Sequence, residues 1–320
     1  MQIASHKLLE SGELQSRAQK AQQFLARCEL CPRLCRVNRR DGELGFCATG
    51  KWARVASYGA HFGEEQPLVG TRGSGTIFLA SCNLRCCFCQ NYDISHFPED
   101  SPEVDNQTLA AIMLELQRQG CHNINFVTPS HVVPQILAAL IIALEDGLQV
   151  PLVYNCSGYE CSATLELLSG IIDIYMPDFK FWSSLSAEKY ADAADYPEIA
   201  RQALSIMHKQ VGDLVTHADG LASKGLLIRH LLMPDGLNET REILRFISHD
   251  LSPASYVNIM DQYRPCGASN KHPELERSVS TREYQEALRL AHQAGLSRLD
   301  HRDLAVLFKN LGIHQRKKQL

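Results

Sequence analysis

Gly75-Thr76-Ile77-Phe78-Leu79-Ala80-Ser81-Cys82-Asn83-Leu84-Arg85-Cys86-Cys87-Phe88-Cys89 joins a short apolar run to a burst of cysteines. Thr76 to Ala80 has the length and content of a buried strand. From there to the C-terminus, helical and extended patterns alternate. A helix is expected at 106–119, with Leu109, Ile112, Met113 and Leu116 on one face and Gly120 as its stop. A strand follows at Ile124–Val127, then a helix with Val133, Ile136, Leu137, Leu140, Ile141 and Leu144 at 3.6-residue spacing. Strands are expected at Leu152–Tyr154, Ile171–Met176, Leu226–Met233 and Tyr256–Met260. Helices fall near Thr164–Leu168, 197–211, 240–250 and 281–294. Parallel strands need crossovers, so repeats of this length predict a parallel sheet. Six or so units are too few for an eightfold barrel. The expected fold is α/β, a partial (β/α)6-type barrel with an N-terminal cysteine-rich module. Its chemistry should sit at the C-terminal strand ends.

Working outward, residues 7–27 read as a helix through Leu14, Ala18, Ala21 and Leu25, and Cys28–Cys47 as a compact knuckle too poor in apolar residues to fold by burial alone. Residues 51–74 read as loop-rich, with Gly59, Gly63, Gly70 and Gly73. The expected division is 1–60 for the helix and metal-binding module, 61–300 for the barrel, and 301–320 for a C-terminal tail. Arg316, Lys317 and Lys318 in that tail read as a solvated basic run. With 45% hydrophobic and 21% charged residues, a net charge of -4 and a pI near 6.4, the chain has no electrostatic footprint for nucleic acid or an anionic membrane. The longest apolar run, Ile136–Leu144, is too short to span a bilayer, and the N-terminal stretch is charged where a signal peptide is apolar. A cytoplasmic location is expected.

Twelve cysteines in a reducing compartment point to metal or redox chemistry rather than disulfides, and eight of them lie between Cys28 and Cys89. Cys82, Cys86 and Cys89 form a C-x3-C-x2-C pattern. A [4Fe–4S] cluster usually takes four thiolates, so three leave one iron open to a substrate or cofactor. The rival reading is a zinc knuckle that enlists Cys87 or His96. Cys87 adjoins Cys86 and is expected to pack into the core. Cys28, Cys31, Cys35 and Cys47 supply four soft ligands for zinc or a second iron–sulfur cluster, with Arg33, Arg36, Arg39 and Arg40 placed to favour the thiolates. Cys121, Cys156, Cys161 and Cys266 read as lone thiols.

The run Gly73-Ser74-Gly75-Thr76-Ile77-Phe78, followed by Cys82-x3-Cys86-x-Phe88-Cys89-Gln90-Asn91, resembles the radical S-adenosylmethionine superfamily. Within it, the chain is similar to proteins related to the activating enzyme of pyruvate formate-lyase, over roughly residues 25–300. The resemblance implies an oxidoreductase with a [4Fe–4S] cluster and S-adenosylmethionine. The cofactor is cleaved reductively to methionine and a 5′-deoxyadenosyl radical that abstracts hydrogen. It also implies an electron donor such as flavodoxin or ferredoxin, and a protein substrate activated as a glycyl radical. Radical modification of a peptide or small molecule is the alternative. A non-catalytic metal-binding or electron-transfer protein is the rival from another class.

The resemblance also implies roles for individual residues. Phe88 matches an aromatic near the adenine, and plain packing is the other reading. Where the superfamily has a Gly-Gly-Glu-like stretch, this chain has Phe126-Val127-Thr128-Pro129-Ser130-His131, leaving backbone carbonyls and the hydroxyl of Thr128 or Ser130 to accept from the cofactor's amino group. His131 reads as a helix N-terminal residue. Tyr154-Asn155-Cys156-Ser157-Gly158-Tyr159-Glu160 stands where the activating enzymes have Asp-Thr-Asn-Gly, with Asn155 in place of the acid; Asn155 and Ser157 are cofactor-binding candidates. In Met176-Pro177-Asp178-Phe179-Lys180, alternation points Asp178 and Lys180 to one side. Lys180 is suited to the cofactor carboxylate and Asp178 to orienting it; a surface ion pair is the other reading. Arg229 is a further cofactor contact, and His230 alternates to the other face as a structural residue. Asn155, Ser157, Tyr159 and Asp178 are expected to line the mouth. No side chain is singled out as catalytic.

Overall fold

A computed structural model describes residues 5–300; the tail expected at 301–320, with its basic run, lies outside the described residues. Among the described residues, ten strands form one mixed sheet of an α/β structure: β1 (Ala53–His61), β2 (Ser74–Leu79), β3 (Glu103–Val104), β4 (Ile124–Val127), β5 (Leu152–Cys156), β6 (Ile174–Pro177), β7 (Val215–Thr216), β8 (Ala222–Leu231), β9 (Tyr256–Met260) and β10 (Arg298–Leu299). Their order is β10-β9-β8-β6-β5-β4-β2-β1-β3, with β7 paired to β8 off this path. From β2 to β10 every neighbour on the path is parallel, while β1 is antiparallel to β2 and β3 to β1. Each new parallel strand joins on the same side of the last. Right-handed crossovers that always step in one direction leave the connecting helices on one face of the sheet.

The central strands are continuous apolar runs because both of their faces are covered. All five residues of β5 and all four of β6 are buried. The helix Asn106–Arg118 starts where the Asp105 carboxylate accepts the Thr108 N–H at 2.8 Å, and it buries Leu109, Ile112, Met113 and Leu116. The helix Val133–Glu145 packs beside it, and Thr281–Gln293 opens with a capping box between Ser280 and Glu283. Among the described residues, no helix is long and apolar enough to cross a membrane.

The structure differs from the sequence reading in several places. The region expected to be loop-rich contains β1, in register with β2 from Val55 opposite Leu79 to His61 opposite Ser74. Only Ala53 and Val55 of this strand are buried, so its half-exposed side chains carry no apolar alternation; backbone pairing holds it. The boundary expected between residues 60 and 61 falls inside this strand. The N-terminal helix breaks at Gly12, whose φ of 78° is left-handed, into Ser5–Glu10 and Glu13–Gln23. The helix Ser184–Ala191 was not foreseen. The segment Cys28–Cys47 has little regular structure beyond a short turn of 3-10 helix at Arg39–Asp41.

Candidate functional site

β2 delivers the chain to a turn at Ser81, which is left-handed with φ 79° and held by its N–H to the Ile94 carbonyl at 2.8 Å. The cysteine loop begins there. The Leu84 and Arg85 N–H groups point at the Cys82 sulfur, at 3.3 and 3.5 Å, and the Ser95 hydroxyl donates to the Cys89 sulfur at 3.3 Å. Cys82, Cys86 and Cys89 all line one cleft of about 530 Å³. Burial pushes the Cys82 thiol up to about 11 and the Cys86 thiol well above its ordinary range, with the Lys180 charge pulling both back. Cys87 faces elsewhere. Its N–H donates to the Tyr190 carbonyl at 2.8 Å, and it does not line the cleft. His96 stacks on Tyr92 at 4.0 Å, also outside the cleft.

The parallel strand ends supply the opposite wall, which includes Thr128, Asn155, Ser157, Asp178, Lys180 and Arg229. Asp178 is its hub. One carboxylate oxygen accepts from Arg229 Nε at 2.7 Å and the other from Lys180 Nζ, while Arg229 also donates to Asn155 Oδ1 at 2.6 Å. These groups are largely buried, with side-chain exposures of 10% for Asp178, 15% for Lys180 and 16% for Arg229. This excludes a surface ion pair. Burial alone would raise the Asp178 carboxyl, but the Arg229 and Lys180 charges outweigh it and hold the group below its usual range. Lys180 and Arg229 are raised in turn: burial works against both cations and the carboxylates prevail.

The Tyr196 hydroxyl fastens two of these strand ends together. It accepts the Lys180 N–H at 2.9 Å and lies 2.9 and 3.0 Å from the Ser157 and Asp178 carbonyls. Gly158 permits that approach; a Cβ there would stand 2.4 Å from the Asp178 carbonyl oxygen. Thr128 has φ 60°, a rare conformation for a β-branched residue, and its N–H donates to the Asn155 carbonyl at 2.8 Å.

Phe88 lines the cleft and also sits within 5.9–6.2 Å of the rings of Phe181, Tyr190 and Tyr263, so it packs and borders the site at once. Ser130 turns away: its hydroxyl donates to the buried Glu160 at 2.5 Å, and Tyr154 donates to the other Glu160 oxygen at 3.0 Å. Tyr159, expected at the mouth, is buried outside the cleft with its hydroxyl on Asp195 at 2.7 Å. His131 is buried at the start of its helix and contacts the Ala80 carbonyl at 2.9 Å. His230 is structural, held between the Phe179 carbonyl at 2.8 Å and the Thr240 hydroxyl at 2.9 Å.

Sequence reasoning missed the far end of the cleft, where His61, Glu64 and Glu65 line the wall. Because β1 runs antiparallel to β2, residues just past His61 lie at the end of the parallel strands opposite the cysteine loop. The pair Glu64-Glu65 between two glycine-rich turns reads as a solvated loop. Only the pairing of β1 turns it inward.

The N-terminal cysteines form a second, separate group. Cys28, Cys31, Cys35 and Cys47 surround an enclosed cavity of about 10 Å³. Burial raises the Cys31 thiol well above its ordinary range. Arg33 and Arg39 line this cavity, whereas Arg36 turns to Glu29 at 3.2 Å and Arg40 to the Gln22 carbonyl at 2.6 Å, so only two of the four expected arginines serve the thiols. Arg39 donates to the His131 carbonyl at 2.8 Å and approaches the Cys28 sulfur at 3.9 Å. Arg33 donates to the carbonyls of Asn83 at 2.9 Å, Ala191 at 2.8 Å and Asp192, and stacks 3.8 Å from the Phe46 ring centre. The knuckle is therefore clamped onto the central cysteine loop. Among the described residues, no three His, Cys, Asp or Glu side chains are arranged to hold a single metal ion.

No family model matches the chain. It is 28% identical over 144 residues to Uncharacterized protein MJ0808 of Methanocaldococcus jannaschii, a match spanning 40% of this chain and 43% of that protein. A longer match, 32% identical over 282 residues, covers 86% of this chain and 77% of Uncharacterized protein MJ0674 from the same organism. At that identity and coverage, this chain belongs to the family of Uncharacterized protein MJ0674.

Proposed function

We propose that the protein is a radical S-adenosylmethionine enzyme whose cluster is held by Cys82, Cys86 and Cys89. The observation that carries the reading is the selection made by the cleft within the cysteine loop: it takes in these three thiols and omits the adjacent Cys87, while Cys156 lines the opposite wall from the end of β5. The donor set fits the group. Three soft thiols meet an open chamber rather than a closed shell, and Cys82 already receives two backbone N–H groups suited to a charged sulfur. A volume near 530 Å³ is that of a cofactor or ligand site. When bound, the cluster and S-adenosylmethionine supply a 5′-deoxyadenosyl radical for hydrogen abstraction.

The chain's own residues bind, orient and shield. Lys180 offers a buried ammonium to a carboxylate, and Asp178 fixes its direction. Asn155 and Arg229 form a rigid polar rail beside it, and Thr128 and Ser157 present hydroxyls at neighbouring strand ends. Phe88 closes the chamber on its aromatic side. The one-directional strand order supports a partial barrel around this chamber, because a sheet with helices on one face alone buries the other by curling on itself. The four N-terminal thiols are the soft-donor set of zinc or a second iron–sulfur cluster, and a single ion would have to draw them together, because they are not gathered around one point. The setting we infer is the cytoplasm, with flavodoxin or ferredoxin as electron donor.

A glycyl-radical partner protein is one substrate class. The polar far end of the cleft favours the second, a small molecule or peptide that enters the chamber. The test is anaerobic reconstitution with iron and sulfide, reduction, and measurement of 5′-deoxyadenosine. Release that depends on Cys82, Cys86 and Cys89 is expected. Absence of S-adenosylmethionine binding to a protein with its full iron content would leave the metal-binding or electron-transfer reading.

A further inference from the structure

The far end of the cleft contains a buried acid with unused capacity. Glu65 is 1% exposed and lines the wall. Its Oε1 accepts the Asn258 side-chain N–H at 2.8 Å, and its Oε2 has no hydrogen-bond partner. Buried carboxylate oxygens are seldom left in this state without a ligand or water to complete them. The nearby cationic groups are engaged elsewhere: the His61 ring pairs with Glu64 at 3.0 Å. Arg229 is committed to Asp178 and Asn155, with Glu64 at 3.9 Å as its next carboxylate. Two acids therefore line this chamber, Glu64 in its pair with His61, and Phe78, 5.7 Å from the His61 ring, is the apolar wall beside them, with Leu231 and Met260 further along at the C-terminal ends of β8 and β9. Asp300 stands behind Glu65, with one oxygen engaged by Tyr256 at 2.7 Å and the other also without a partner.

We propose that this end is a cation subsite, in which Glu65, backed by Glu64, receives a protonated amine carried on a short apolar stem of the substrate. The inference rests on reading the cleft as the substrate chamber. An ammonium brings donors for the unpartnered oxygen and a charge that compensates the buried Glu65, and the apolar wall suits its stem. A neutral alcohol of the same shape satisfies the walls and leaves the charge uncompensated.

The test compares n-butylamine with n-butanol by calorimetric titration of the metal-loaded full chain at pH 8. There Glu65, pushed up by burial to about 7, is ionised. Binding of the ammonium at least tenfold tighter than the alcohol is expected, with Glu65→Gln abolishing the preference. Equal affinities in the wild type, or no detectable binding of either, overturn the proposal and leave Glu65 and Asp300 as an acid pair that shares a proton. That comparison stands even where the variant folds poorly. A preference that survives in a folded Glu65→Gln protein also overturns it. Neither reductant nor S-adenosylmethionine is present, so failure here leaves the cofactor reading intact, and loss of the cofactor reading leaves this result intact.

Discussion

The two cysteine regions are built on opposite plans. Cys82, Cys86 and Cys89 open onto about 530 Å³, whereas Cys28, Cys31, Cys35 and Cys47 close around about 10 Å³. Metal sites divide the same way: structural ones are closed by protein ligands and reactive ones keep a position free. The cleft gathers buried charges, Asp178, Lys180, Arg229, Glu64 and Glu65, whose arrangement serves a ligand more than the fold. The knuckle spends its arginines on backbone carbonyls. On the function proposed, one region would exchange what it binds and the other would keep it.

The most severe way to break this contrast is at the thiols. In the reconstituted protein, Cys86→Ala should abolish the visible absorbance of the central cluster, whereas Cys87→Ala should leave it unchanged. Changing all four N-terminal cysteines together should lower total metal and retain that absorbance. A retained central chromophore in Cys86→Ala would dissolve the distinction.

Asp178→Leu comes next. It strands Arg229 and Lys180 without their shared carboxylate, and breaking such a buried pair costs about 3–5 kcal/mol, readable by urea unfolding. The same group sets an acid limit. Its folded value is depressed, so its contribution is complete above the ordinary carboxyl range and fades as pH falls through the lowered value. Wild type should lose stability below about pH 4 more steeply than Asp178→Leu.

Glu65 should behave with the opposite sign. Its folded value is raised to about 7, so it imposes no penalty below its unfolded value near 4.3 and a full one above about 7. Glu65→Gln should therefore gain stability over wild type as pH rises from 5 to 8, by roughly 3 kcal/mol. A flat difference across that interval would show that the acid is already compensated.

Arg33→Ala tests whether the knuckle leans on the cluster loop. Loss of its bonds to Asn83 and Ala191 should cost about 2 kcal/mol and quicken removal of central iron by a chelator. An unchanged chelation rate would return the knuckle to an independent module. The smallest effect is expected from Lys180→Met: about tenfold weaker S-adenosylmethionine binding, or about 1.4 kcal/mol, with iron content unchanged.

Most of the parallel sheet was legible because its strands are continuous apolar runs. Ile124–Val127 and Tyr256–Met260 coincide with β4 and β9. Asp178 and Lys180 were legible as a pair because residues two apart on extended chain share a side. Arg229 was legible because a charge inside a strand demands a partner, though the choice of Asp178 was not. β1 was not, since its stability lies in backbone pairing with β2 rather than in its side chains. Glu65 was hidden for the same reason. Tyr159 and Ser130 were misplaced because left-handed turns at Gly158 and Thr128 end the alternation just before them, whereas the chain past β6 stays extended at Asp178; Asp195 and Glu160 claim the two misplaced residues from other parts of the chain.

The clamp of Arg33 on Asp192 bridges 159 residues of sequence. On a growing chain, the knuckle cannot complete its seat until Asp192 has left the ribosome. At roughly 5–20 residues per second, that interval is about 10–30 s after the arginine itself is made. During it the four N-terminal thiols stand without the seat that Arg33 makes on Asp192. Metal supply, thiol oxidation and translation speed all act on the same open window, so the yield of correctly loaded protein should depend on how fast the message is read.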